Sequence, residues 1–398
     1  MMTPQPQPHK PRRKHQKSRN GCTVCKKRRV KCDESRPQCR NCVISERLCS
    51  YLEQSSGDHD AGRSHSILTP ALSVSTVSGE SIWTGDGDGQ PDTGASATGT
   101  TFEAIHMILL HHAECNMASY MALQGAIRPI IDAAVNSALT APYLLDQLLA
   151  LSALHLSTQN TATSSLYHHH ATELQTRALR LFNQSREDVG ERNYMPTFLF
   201  ATLLGIHVLR DTLAARHQDL GSFVGAYVAY ARLHRGVRAV TSTHWDRILQ
   251  SELKPLMYIA ARADDIEKQA RGSETELLRQ FLETSELASS SVGACLDALR
   301  WVQWALDTAA REPGRFDVAV HATLAWALVV PDRYVEALYQ HQPEALVVLA
   351  YYAAVLHRHR RCWVFGDAGS ALVQSIIAHV GPFWADVLVW PQEVLSEG

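Results

Sequence analysis

Six cysteines crowd one end of this 398-residue chain, spaced Cys22-x2-Cys25-x6-Cys32-x6-Cys39-x2-Cys42-x6-Cys49. The pattern is a C-x2-C-x6-C unit written twice. So short a stretch cannot build an apolar core, and it folds only if something else supplies the free energy. On a helical turn, residues three apart share a face. Cys22 and Cys25 can therefore reach a single ion, and Cys39 and Cys42 repeat the arrangement. Six thiolates are too few for two separate tetrahedral sulfur shells, but they suffice if two of them bridge both ions. The donor set fits two Zn2+, with metal binding on the order of 10–16 kcal/mol supplying most of the folding energy. The competing account, six unrelated buried thiols, leaves the duplicated spacing unexplained.

The two arms of the cluster differ in charge. Between Cys25 and Cys32 stand Lys26, Lys27, Arg28, Arg29, Val30 and Lys31, whereas the matching stretch between Cys42 and Cys49 holds one acid, Glu46, and one base, Arg47. A cationic helix of the first kind suits the major groove of double-stranded DNA. There Arg and Lys donate to guanine O6 and N7 while flanking bases neutralise phosphates. Lys10, Arg12, Arg13, Lys14, Lys17 and Arg19 add phosphate contacts or a nuclear import signal. Residues 1–53 carry 14 Lys+Arg against 4 Asp+Glu, although the whole chain has a net charge of −2. The head is therefore basic and the remainder acidic, as expected of a polyanion-binding module joined to something else.

Composition divides the chain into a disordered basic arm at 1–20, the cysteine module at 21–52 and a Ser/Thr/Gly/Asp-rich flexible linker at 53–100. The linker holds too few large apolar side chains to offset chain entropy. Residues 101–398 repeat apolar positions at helical spacing with almost no strand alternation, which predicts a large all-α regulatory domain. Pro142 and Pro343 can each open a helix, and Ser273 with Glu276 forms a candidate capping box. Helices are expected over 143–156, 197–213, 296–310, 344–361 and 368–380, some apolar on nearly every face and so central. Residues 1–20 hold no apolar stretch of the kind a secretory signal needs. The longest apolar run, 345–356, falls short of the ~18–20 residues of a membrane span. A soluble intracellular protein is expected.

The segment CTVCKKRRVKCDESRPQCRNCVISERLC resembles the fungal Zn2Cys6 binuclear zinc cluster transcription factors. The resemblance implies that Cys22 and Cys39 bridge two Zn2+ while Cys25, Cys32, Cys42 and Cys49 are terminal ligands. It puts Arg28 and Arg29 at the base-reading positions and Lys26 and Lys31 at phosphates; Lys27 and Arg19 complete the expected DNA-binding set. Pro37 matches the proline of the loop between the arms. Further stretches at 141–156, 233–240, 362–372 and 384–391 are similar to the sterol uptake control branch of that family. In some of its relatives a helical domain binds a sterol in an apolar pocket.

The expected function is zinc-dependent, sequence-specific DNA binding at a CG-rich promoter element, regulating RNA polymerase II transcription in the nucleus. The helical domain would meet co-regulators or the transcription machinery, with a sterol or other apolar ligand as a further partner. The alternatives are a zinc-stabilised nuclear adaptor that binds proteins, or a regulator of a secondary-metabolite gene cluster without ligand sensing. No enzyme motif is present. His168–His170, His111 with His112, and His357 with His359 lack the carboxylate spacing of a catalytic metal site and are read as partly exposed helix histidines. Cys115, Cys295 and Cys362 are read as small buried hydrophobes. Residues 53–100 show no sustained heptads, so either a monomer binds DNA or the helical domain makes a homodimer.

Overall fold

The computed structural model describes residues 21–23, 26, 32, 34, 35 and 39 of the head, and 102–397 apart from 124–126, 186–189, 191, 216, 242–243, 255–256, 258, 260–271 and 285–288. Chain contacts separate two units, Met1–Ala95 and Ser96–Gly398. The arm expected at 1–20 and the linker expected at 53–100 lie outside the described residues.

The second unit is all-α, with no strand among the described residues. Its helices are α1 (Ala104–Tyr120), α2 (Arg128–Asn136), α3 (Pro142–Gln159), α4 (Ser164–Ser185), α5 (Tyr194–Ala214), α6 (Leu220–Thr241), α7 (Trp245–Gln250), α8 (Glu276–Thr284), α9 (Ser289–Arg311), α10 (Phe316–Val329), α11 (Asp332–Tyr339), α12 (Pro343–Arg358), α13 (Ala368–Val380) and α14 (Val389–Ser396). Pro142 and Pro343 each occupy the opening turn of their helix, where a missing N–H costs nothing. Helix α13 spans the expected 368–380 and stops at Gly381, whose φ of 80° suits a residue without Cβ. Helix α12 ends at Arg358, three residues short of the expected 361, where the chain enters a turn. The capping box expected at Ser273 is not used. Helix α8 begins at Glu276 itself, and the Glu276 carboxylate accepts hydrogen bonds from Arg279 and Gln280 instead.

Helix α12 is the axis of the core. Ala345 to His357 are all buried, enclosed by α9, α11, α13 and α14. The expectation that helices apolar on nearly every face are central holds here. The α12 tyrosine hydroxyls are matched to neighbouring backbone, as burial requires, whereas the His357 ring nitrogens have no hydrogen-bond partner among the described residues. The Tyr351 hydroxyl donates to the Val387 carbonyl at 2.7 Å and the Tyr352 hydroxyl to the Thr323 carbonyl at 3.2 Å. Tyr352 stacks on Trp326 with ring centroids 4.0 Å apart, and the Trp326 indole donates to the Ala298 carbonyl. At Gly369 on α13, a Cβ would lie 2.5 Å from the Ala353 carbonyl oxygen, so α12 and α13 meet backbone to backbone there.

A second layer packs α1, α4 and α5 around α3. Asp146 of α3 is tied to Arg177 of α4 by two hydrogen bonds of 2.6 Å, in the bidentate geometry that favours Arg over Lys. Helix α5 is long and apolar enough to cross a membrane, yet most of it is buried inside this unit, as the core helix of a helical bundle would be.

Candidate metal centre and nucleic-acid interface

Cys22, Cys32 and Cys39 come from three separate points of the head and converge. Their Sγ atoms all lie within 4.8 Å of one another, and the residues are 1%, 3% and 0% exposed. The Cys22 and Cys39 sulfurs are 3.5 Å apart, a separation that lets both sulfurs reach the same ions. Buried thiols at this spacing, with no disulfide between them, are a donor set for a soft, tetrahedral ion such as Zn2+. Two backbone N–H groups, of Cys22 and Glu34, donate to the Cys32 sulfur at 3.4 Å each. Such bonds favour the thiolate over the thiol.

The Glu34 contact was not legible in the spacing. It depends on Glu34 adopting φ of 60°, a left-handed conformation that turns its N–H back toward Cys32. The sole signal was the position two residues after a cysteine.

Lys26 donates its backbone N–H to the Cys22 carbonyl at 3.0 Å, one α-helical turn, and its side chain is exposed beside exposed Thr23. The first arm thus begins as a helix with sulfur on the inner side and a cation on the outer side. Among the expected site residues, Cys22, Cys32, Cys39 and Lys26 are placed in this way. Cys25, Cys42, Cys49, Arg19, Lys27, Arg28, Arg29 and Lys31 lie outside the described residues.

In the helical unit the remaining thiols divide. Cys295 and Cys362 are buried as expected, but Cys115 is exposed, 3.7 Å from the ring of His111. It sits on the side of α1 opposite Leu109, Ala113 and Met117, the residues that α1 buries. His357 departs the other way: it is buried, because the last turn of α12 remains inside the core. His111, His168 and His169 are exposed, as expected.

A cavity of about 500 Å3 opens between α8 and α9. Its walls include Glu276, Arg279, Glu283, Asp297, Arg300 and Asp307. So charged a lining does not match the apolar pocket expected of a sterol site.

Residues 20–58 match the fungal Zn(2)-Cys(6) binuclear cluster domain, and the head of this chain carries a zinc-cluster domain of that family. The chain is 63% identical across 43 residues to Sterol uptake control protein 2 of Candida albicans, covering 11% of this chain and 6% of that protein. It is 55% identical across 40 residues to Sterol uptake control protein 2 of Saccharomyces cerevisiae, covering 10% of this chain and 4% of that one. A Zn(2)-C6 fungal-type transcription factor of Gibberella zeae is 25% identical over 437 aligned positions, covering 96% of this chain and 86% of that protein. The likeness to the two sterol uptake control proteins is thus confined to a small fraction of their length. No solved structure matches the chain.

Proposed function

We propose that this protein is a zinc-dependent, sequence-specific DNA-binding regulator of RNA polymerase II transcription that acts in the nucleus. Cys22, Cys25, Cys32, Cys39, Cys42 and Cys49 hold two Zn2+, with Cys22 and Cys39 bridging. Arg28 and Arg29 read base edges of a CG-rich element, while Arg19, Lys26, Lys27 and Lys31 meet phosphates. The helical unit regulates this head through co-regulators, and the reading assigns it no catalytic step. The observation that supports it most directly is the convergence of three buried sulfurs, in a head whose sequence between Cys25 and Cys32 is basic at five of six residues.

The test is fluorescence anisotropy on short duplexes with and without a CGG triplet, over a range of salt. Sequence-specific binding with a steep negative salt slope supports the proposal. Equal, weak binding to every duplex would favour the protein-binding adaptor.

A second reading, sterol sensing by the helical unit, draws on its similarity at 141–156, 233–240, 362–372 and 384–391 to the sterol uptake control branch. The named sterol uptake control relatives align over only 10–11% of this chain, and the cavity between α8 and α9 has charged walls. Saturable binding of a radiolabelled sterol to the full chain supports this second reading; its absence removes it.

A further inference from the structure

The cavity between α8 and α9 carries more carboxylates than cations. Glu276, Glu283, Asp297 and Asp307 stand in its walls against Arg279 and Arg300. Arg279 is matched on its own helix: Nε and Nη2 donate to Glu276 at 2.9 and 2.6 Å, and Nη1 donates to Glu283 at 2.6 Å. The paired edge that would hold an oxyanion is therefore taken, and one guanidinium shared by two carboxylates leaves that group negative. Asp297 is exposed on α9. Asp307 Oδ1 accepts from the Gly272 N–H and the Gln303 amide at 2.9 Å each. Both donors are neutral, so these bonds do not cancel the charge of Asp307.

One end of the cavity is a fixed wall. Gln303 is 4% exposed. It accepts from the Thr275 N–H at 3.1 Å and the Thr275 hydroxyl at 2.8 Å, and it donates to Glu274 at 2.7 Å. These bonds join the residues just before α8 to α9, so the carboxylates of that end are set in place before any ligand arrives. Leu299 and Trp304, both 2% exposed, add apolar wall. A volume of about 500 Å3 with apolar wall and convergent polar groups has the form of a small-molecule site.

We infer that this cavity binds an organic amine, with its ammonium among the carboxylates and its hydrocarbon part against Leu299 and Trp304. Surplus negative charge in a partly enclosed cleft raises the local concentration of cations, and Trp is the aromatic side chain best suited to meet one. An oxyanion would face four carboxylates there. A neutral ligand would cover those carboxylates without supplying a counter-charge. The site lies wholly in the helical unit, so the inference is independent of DNA binding by the head.

The experiment is isothermal titration calorimetry on the zinc-loaded full chain at low ionic strength. Phenethylamine and spermidine are separate titrants, and phenylacetate is the oppositely charged match for the first. Saturable binding of at least one amine, with none of phenylacetate, is the expected result. Which amine binds distinguishes an arylalkyl ligand from a polyamine. Asp297→Asn weakens binding a few-fold and Asp297→Asn/Asp307→Asn about tenfold, because charge is removed while size is kept. Asp132→Asn removes a carboxylate from α2, outside the cavity walls, and leaves the affinity unchanged. Should the double variant fail to fold, Asp297→Asn at its exposed position carries the test alone. Absence of saturable binding of either amine, phenylacetate binding as tight as that of phenethylamine, or equal affinity in Asp297→Asn and the wild type overturns the inference. An equal loss in Asp132→Asn does so too.

Discussion

The sulfurs of Cys22 and Cys39, seventeen residues apart in sequence, lie 3.5 Å from one another in the head. Each opens one copy of the duplicated C-x2-C-x6-C unit, so the two halves of the repeat are joined at equivalent positions. If both sulfurs bridge, loss of either disrupts both ions together. Cys39→Ser is expected to bind less than one zinc per chain by metal analysis and to lose DNA binding. The far-ultraviolet circular dichroism, dominated by the helical unit, should change little. Retention of one full equivalent of zinc would contradict a bridging role.

Base-reading and phosphate-contacting residues should separate in their salt dependence. Arg28→Ala or Arg29→Ala is expected to cost about 1–3 kcal/mol of binding and relax preference at one base position. Lys26→Ala, on the exposed side of the helical turn, should weaken all duplexes alike and reduce the salt slope by about one. Anisotropy titrations at several salt concentrations measure both quantities.

Stability of the helical unit should fall as the solution is acidified from about pH 6.5 toward pH 4. Burial holds His155 down to about 4, with His112 adding to the effect; burial likewise holds His207 at about 3 and His234 at about 4. His112 and His155 share a 2.9 Å hydrogen bond that fails when both rings are protonated. In this window the unfolded chain binds protons that the folded chain refuses, so stability declines with pH. Asp211, pushed up to about 6 by burial, acts in the opposite sense, but it is one group against several. The net loss should be on the order of a few kcal/mol, read from urea midpoints across pH. A flat profile would contradict the burial of these rings.

Arg177→Ala should destabilise the helical unit by about 3 kcal/mol, since it leaves the Asp146 carboxylate buried without its bidentate partner. Arg177→Lys should recover only part of this, because an ammonium cannot reproduce the paired geometry. Urea unfolding monitored by circular dichroism gives both values.

Gly369→Ala tests the closest helix contact. The added methyl would meet the Ala353 carbonyl and the His357 amide nitrogen at 2.5 and 2.6 Å, both of them backbone atoms. Helices α12 and α13 must then separate, with a cost of about 1–3 kcal/mol or more. A variant as stable as the wild type would show that the two helices are less closely packed.

Much of the architecture could be read from the chain before any coordinates. The duplicated cysteine spacing announced a metal-held head, and apolar periodicity announced an all-α body. Pro142 and Pro343 mark helix starts because their backbone constraint acts locally. The two misplaced side chains share one cause. Cys115 was expected inside and lies outside; His357 was expected partly outside and lies within. Each depends on which side of its helix faces a neighbour, and that is set by residues far along the chain.

Sequence alone determined which groups could bind metal, where helices could begin, and that some helices were apolar enough to be central. These are consequences of residue chemistry and short-range spacing. Only the tertiary structure decided that Cys22 would meet Cys39 and that Asp146 would find Arg177. Such pairings depend on how helices pack and turns close, and burial then fixes whether a charge is matched or stranded.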